Sequence, residues 1–440
     1  MREMKDSGIE WIGEIPKDWE VHPVYAYFEE GKTKNYRMQE QNLLSLSYGK
    51  IIRKDINTNG GLLPASFNTY NVIEAGDIII RPTDLQNDKR SLRTGLVKEQ
   101  GIITSAYIDL RPKDNVNSKY YHYLLHSYDI IKVFYNMGNG VRQGLNFSEF
   151  AKLLLLDPSK VQQQQIADFL DTKCSEIDAT AEDIQKEITL LEDYKKSVIT
   201  EAVTKGLNPD VEMKDSGIEW IGQIPKHWEI PKITHILDYT HPYPIGDGDH
   251  GTIKAENYSE EGIPFIRVQN LGFATELIMN NVVYITEKQN NGIINSTLYP
   301  NDILFAKTGA TIGKVGIMPE NIKKANTTSH VGKITVSEEV VPKFIFYVLS
   351  SFIGYKQFWD IALMKSTRPE LSIDEIKTLH VLLPKTIVEQ QQIADYLDSK
   401  CSEIDSLIAD KKRQFDILAD YKKSLIYEYV TGKKEVPVNE

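Results

Sequence analysis

Cysteine is the scarcest residue in this chain: only Cys174 and Cys401 occur in 440 residues. Two cysteines make no disulfide framework, and neither stands in the paired spacing that a zinc site requires. Long hydrophobic runs are also missing. Runs such as Leu153 to Leu156 and Ile78 to Ile80 fall far short of the roughly 18 apolar residues of a membrane span. Met1 to Glu10 mixes both charge signs without an apolar core, so no signal or transit peptide is readable and the cytoplasm is the expected compartment. The nine histidines are scattered. His250, with Asp247 and Asp249 in GDGDHG, superficially suggests a metal loop but lacks the remaining ligands, so no metal is expected. Basic excess is lacking as well. A formal net charge of −11 argues at first against nucleic acid, because phosphate binding depends on local Lys and Arg, although net charge can hide segregation.

What is present is ordinary globular composition, 41% hydrophobic and 26% charged, in a chain long enough for two to four domains. An internal repeat organises it. Met4 to Glu20 reads MKDSGIEWIGEIPKDWE, and Met213 to Glu229 reads MKDSGIEWIGQIPKHWE. A second pair, QQQIADFLDTKCSEIDA from Gln163 and QQQIADYLDSKCSEIDS from Gln390, leads in each case to a DYKKS box, at Asp193 and Asp420. The offsets are 209 and 227, so the second half carries 18 extra residues between its repeated blocks. Between the blocks, Val21 to Val161 and Ile230 to Val388 share almost no extended identity. Drift after duplication would not spare short flanks while scrambling everything between them, so the inner domains read as functionally diversified. The expected division is an opening block (1–20), a variable domain (21–161), a helix (162–212), the repeated block (213–229), a second variable domain (230–388) and a second helix (389–440).

The constant segments read as helices with a heptad seam. Ile177, Ala181, Ile184, Ile188, Leu191, Val198 and Ala202 are followed in the second copy by Ile404, Ile408, Lys411, Phe415, Leu418, Leu425 and Tyr429, where only Lys411 breaks the apolar pattern. No proline interrupts Gln162 to Lys205 or Glu389 to Lys434. Each helix needs a partner, and the economical expectation is an antiparallel pair within the chain, related by an internal pseudo-twofold, with the variable domains at opposite ends. Packing of each helix on its own domain is the alternative. In the antiparallel pair Cys174 and Cys401 would lie about 30 Å apart along the axis, too far for a disulfide. The helical segments are acidic, −7 and −3, which makes them a poor DNA surface.

Basic charge is concentrated instead in the inner domains: 18 basic against 14 acidic residues in the first and 15 against 16 in the second. Arg81, Lys89, Arg90, Arg93 and Lys98 lie in or beside RPTDLQNDKRSLRTG, which follows a strand-like run ending at Ile80. In the second domain DILF leads into AKTGATIGKVG, which carries Lys307, Thr308 and Lys314. That loop resembles a phosphate-binding P-loop but fails it, since three residues separate Gly309 from Gly313 and Val315 replaces the hydroxyl that would hold magnesium. A loop whose amides and lysines approach DNA and an ordinary hairpin are the two remaining readings. Arg142 with Gln143, and Arg368, stand at equivalent places in the two halves before helix starts expected at Ser148 and Ser372. A junction-stabilising ion pair is as good a reading of those arginines as DNA contact. Strands are expected at Pro264 to Val268, Asn281 to Thr286 and Val331 to Val336, and helices at Ser118 to Phe134 and Pro342 to Phe358. Each inner domain is therefore mixed α/β. Trp11, Trp19, Trp220 and Trp228 in the repeated blocks read first as core, with partner or junction contact as the second choice.

Taken together, DSGIEWIGEIPKDWE and DSGIEWIGQIPKHWE, the two QQQIAD(F/Y)LD(T/S)KCSEID helix openings, and PFIRVQN with NDILFAKTGATIGKVG in the second domain resemble the specificity subunit of type I restriction-modification systems. The resemblance spans essentially the whole chain, although the first domain lacks a PFIRVQN counterpart. It implies an α+β chain: two target-recognition domains alternating with two long helices that form an antiparallel coiled coil. It also implies that the chain performs no chemistry. It would select double-stranded DNA for two adenine methyltransferase subunits and for ATP-driven restriction subunits, with S-adenosylmethionine, ATP and magnesium bound by those partners. The residues agree: no motif for a flipped adenine, for S-adenosylmethionine or for nucleotide hydrolysis is readable. The expected target is bipartite and asymmetric. Arg81, Lys89, Arg90, Arg93, Arg142, Lys307, Thr308, Lys314 and Arg368 are the expected DNA contacts. A coiled-coil scaffold that binds only protein is the competing reading.

Overall fold

The computed structural model describes residues 2–57, 64, 66–83, 85, 92–137, 144–275, 277–364 and 369–437. The chain forms two units, Met1–Gln185 with Arg413–Glu440, and Lys186–Lys412.

At the centre of the first unit is an antiparallel sheet of β1 (Phe28–Glu30), β2 (Ile78–Ile80), β3 (Thr94–Leu96) and β4 (Ile108–Pro112), in the order β1-β4-β2-β3. The second unit repeats this order with β5 (Ile245–Asp247), β6 (Ile303–Ala306), β7 (Val315–Ile317) and β8 (Val331–Ile334), arranged β5-β8-β6-β7. Ile78–Ile80 and Ile303–Ala306 are apolar at every position because both faces of these central strands are covered. Two domains of unlike sequence thus share one sheet.

Each sheet is backed by a helix. In the first unit α1 (Ser118–Ile130), capped by the Asn117 side chain on the Tyr120 amide, buries Tyr120, Tyr121, Leu124, Leu125 and Tyr128. In the second, α2 (Pro342–Ser350) buries Phe344 to Leu349 and is followed by α3 (Phe352–Leu363). The single helix expected from Pro342 to Phe358 is therefore two. Ser351 leaves the helical region at ψ 173°, and its hydroxyl caps the Ile353 amide. The helix expected at Ser372 begins there with a full capping box to Glu375, but its counterpart is capped by Asn146, with Ser148 already inside.

The first long helix, Lys160–Lys205, and the second, Ile387–Val430, each start two residues before the span read from the sequence, and the second stops short of Lys434. Both stop at glycines of positive φ, Gly206 (73°) and Gly432 (69°), conformations costly for any residue with a Cβ. In each unit the helices pair antiparallel. In the first, Phe169 packs on Tyr429 with ring centroids 4.5 Å apart, and Lys422 Nζ lies 2.6 Å from Asp178 Oδ1. In the second, Lys195 Nζ lies 2.7 Å from Asp405 Oδ2, and Lys411 is ion-paired with Glu187. Ascending numbers on one helix meet descending numbers on the other in both cases.

The seam read from the sequence left a step of seven between Leu191 and Val198. Lys195 fills it, buried to 6% exposure, and its repeat Lys422 occupies the same place. The repeated SEID and DYKKS boxes thereby acquire a physical role: the final aspartate of one box receives the first lysine of the other, once in each unit. Both cysteines are free and buried. Burial pushes both thiols up, Cys401 to about 11. Trp19 and Trp228 are core residues, whereas Trp11 is 39% exposed. The Trp228 indole N–H donates to Glu389, and Lys433 Nζ donates to the Ile12 and Glu14 carbonyls. The opening blocks thus hold helix ends.

Candidate nucleic-acid interface

The basic loops follow β2 and β6, where a buried strand emerges and backbone groups need new partners. The Leu145 amide donates to the Pro82 carbonyl in the first unit, and the Leu371 amide donates to the Lys307 carbonyl in the second. These bonds are equivalent. Each clasps the loop after the central strand to the segment that follows Arg142 or Arg368, so the two candidate stretches of each domain meet.

The individual side chains divide sharply. Lys89, Arg90, Arg142, Gln143 and Arg368 lie outside the described residues. Arg81, partly exposed, pairs its backbone with Arg93. Arg93, expected to face DNA, is fully buried: its guanidinium donates to the Thr83 carbonyl and the Tyr135 hydroxyl and stacks on the Tyr135 ring. It holds the loop, because a buried guanidinium needs such partners. Lys98 is exposed.

In the second unit Lys307 is 4% exposed and ion-paired with Asp247, so its charge is neutralised beneath the surface. Thr308, 9% exposed, has its hydroxyl 3.2 Å from His330 Nδ1. Lys314 is partly exposed, with Nζ 5.9 Å from the Phe273 ring centroid. As placed, Lys307 and Thr308 therefore build the loop from within. What they present outward is a pair of histidines. His250 Nε2 lies 3.2 Å from Asp247 Oδ1, and its side chain is 72% exposed. His330, also exposed, meets the Thr308 hydroxyl. The sequence reading missed His330, which no spacing signalled, and considered His250 only as a metal ligand. In GDGDHG the Asp249 carboxylate instead accepts from the Gly251, Thr252 and Ile253 amides and shapes the turn that carries His250.

The helices α1 and α2 dock on the long helices by a shared device absent from the sequence reading. Tyr123 Oη donates to Asp171 and Lys119 pairs with it. Tyr347 Oη donates to Asp398 and Lys343 pairs with that carboxylate. The Lys-x-x-x-Tyr spacing common to Lys119–Tyr123 and Lys343–Tyr347 was the available signal. Among the described residues one trio could offer a metal three ligands within 4.8 Å: Glu20, His22 and Asp157, on paired strands. Asp157 already accepts from Tyr121 and Gln163. No described helix is long and apolar enough to cross a membrane.

One clasped sheet is thus repeated, followed in each copy by a loop of different sequence. The family model for the type I restriction modification DNA specificity domain matches twice, at residues 23–190 and 225–414. The chain belongs to that family. As a member it is a non-catalytic recognition subunit, with catalysis lying in other subunits. The specificity subunit of the type I restriction enzyme MjaVIII from Methanocaldococcus jannaschii is 25% identical over 429 residues, covering 96% of this chain and 94% of the relative. The EcoBI specificity subunit of Escherichia coli is 25% identical over 305 residues, 67% of this chain and 61% of its own. A solved chain from work on complex assembly and conformational transition of the type I R-M system shares the fold. Its TM-score is 0.68 at 14% identity, covering 96% of this chain and 99% of that one.

Proposed function

We propose that this specificity subunit reads a bipartite, asymmetric DNA target, one half with each inner domain, and directs two methyltransferase subunits and the restriction subunits to it. The observation that carries the reading is the equivalent clasp, Leu145 to Pro82 and Leu371 to Lys307, in two sheets of identical order whose loops differ in chemistry. Equivalent placement with unlike side chains suits two readers of unlike half-sites. Base edges would be met by polar loop side chains in the major groove, with phosphate contacts fixing register. Arg81, Lys89, Arg90, Arg142, Lys314 and Arg368 remain the candidates for direct contact, whereas Arg93, Lys307 and Thr308 act by shaping the loops. S-adenosylmethionine, ATP and magnesium belong to the partner subunits in this reading, and the assembly works in the cytoplasm.

The test is to co-express the chain with its methyltransferase partner in an unmodified host and map adenine methylation across the genome. A motif of two unlike halves around a fixed gap is the expected result. A soluble complex that leaves the genome unmethylated, and shows no salt-dependent DNA binding, would favour the protein-only scaffold.

A further inference from the structure

We infer that His250 is a base-reading residue of the second domain, pre-oriented by Asp247, and that it accepts a hydrogen bond from an exocyclic amino group, adenine N6 or cytosine N4, in the second half-site. The inference rests on the two-reader proposal and names a residue within it.

Three features converge on this imidazole. Its side chain stands 72% exposed at the tip of a turn whose shape is set by the buried Asp249 carboxylate. Its Nε2 is 3.2 Å from Asp247 Oδ1, and Asp247 is itself fixed by an ion pair with Lys307, a lysine sunk beneath the surface. The carboxylate that meets the ring is therefore held in place by its own ion pair. A carboxylate only accepts, so Nε2 is the donor in this contact and Nδ1 is the ring nitrogen left for a second partner. That nitrogen has no hydrogen-bond partner among the described residues.

The backbone beside the ring is open. Gly251 beside His250 and Gly309 beyond Thr308 both hold positive φ, 94° and 62°, and a Cβ built on either would meet nothing within 4 Å. His330, tethered through Nδ1 to Thr308, is a second exposed imidazole of this domain. In the major groove the exocyclic amino groups offered are those of adenine and cytosine, which is what an acceptor selects.

The measurement uses the assembled methyltransferase complex and duplexes carrying all four bases at each position of the mapped target. Rate ratios between bases are independent of how much complex is active. His250→Ala should reduce discrimination at one position of the second half by about 5- to 150-fold, the range of a single base contact, and leave the first half unchanged. His250→Arg, a donor in place of an acceptor, should shift that position toward guanine. Unchanged ratios at every position, or a uniform slowing on all duplexes as for a phosphate contact, would overturn the inference while the bipartite target stands. A wild-type target that is not bipartite would overturn the two-reader proposal instead.

Discussion

The two inner domains place the same aspartate at the same point of the same sheet and neutralise it differently. Asp77, before β2, accepts from the Glu74 amide, and Asp302, before β6, accepts from the Tyr299 amide. The neighbouring strand carries Asp109 and Arg111 in the first unit, but Lys333, with Thr335 just beyond its end, in the second. Register pairs Asp109 with Ile79 and Lys333 with Leu304. In the second unit Lys333 Nζ lies 3.5 Å from Asp302, donates to the Thr297 carbonyl, and closes the site as a buried ion pair. In the first, two aspartates face one cation, with Arg111 lying 3.5 Å from Asp77 and 3.8 Å from Asp109. Burial, followed by the charge of Asp77, pushes Asp109 up to about 8, so it stays largely protonated at neutral pH. Diversification at the surface has therefore been accompanied by a rewired interior, with opposite responses to titration and mutation.

The largest effect should come from Lys333→Ala, which leaves Asp302 buried without its ammonium. The expected loss is about 3–5 kcal/mol, with hydrogen exchange rising in peptides of the second unit and unchanged in β1 to β4. Equal loosening of both sheets would break the comparison.

Acid should separate the units next. His122 and His126 on α1 are pulled down by burial to about 3 and about 4, whereas Phe346 and Ser350 fill the corresponding turns of α2. A histidine held neutral when folded but protonated when unfolded withdraws stability as pH falls below about 6.5, roughly 2 kcal/mol each by pH 5. Hydrogen exchange between pH 7 and 5 should show α1 opening before α2, and His122→Phe should narrow the gap.

Alkali should act the other way through Asp109. A raised carboxyl costs nothing below its unfolded value near 4, and its cost grows until pH passes about 8. Asp109→Asn should therefore stabilise the first unit at pH 8 by more than about 1 kcal/mol, with little gain at pH 4. Denaturant titrations at the two pH values decide it.

The smallest contrast lies in the seam. The Lys195 side chain is 7% exposed and that of Lys422 is 26%. Lys195→Ala should cost about 1 kcal/mol and Lys422→Ala a few tenths, since more exposed ion pairs contribute less. Equal losses would mean that solvent access does not set their strength.

The repeat, the long helices, the central strands and the mixed α/β class were legible in the sequence because each rests on periodicity or near-identity. The family followed from the repeated boxes. Which charged side chains reach the surface was not legible. Arg93 and Lys307 look like surface residues in a polar stretch, and only tertiary packing shows Tyr135 and Asp247 waiting for them. The seam lysines were hidden for the same reason: heptad reading rewards apolar residues, and Lys195 is held by Asp405, a partner 210 positions away. The break at Ser351 escaped because Val, Phe and Ile continue the apolar pattern on both sides of it.

The central claim is that each inner domain reads its own half of the target. Its most direct test is to replace residues 21–161 with the corresponding segment of a relative of different specificity, then map adenine methylation with the same methyltransferase partner. The account predicts a motif with a new first half, the original second half, and an unread gap between them. A motif changed in both halves, or unchanged in both, would contradict it.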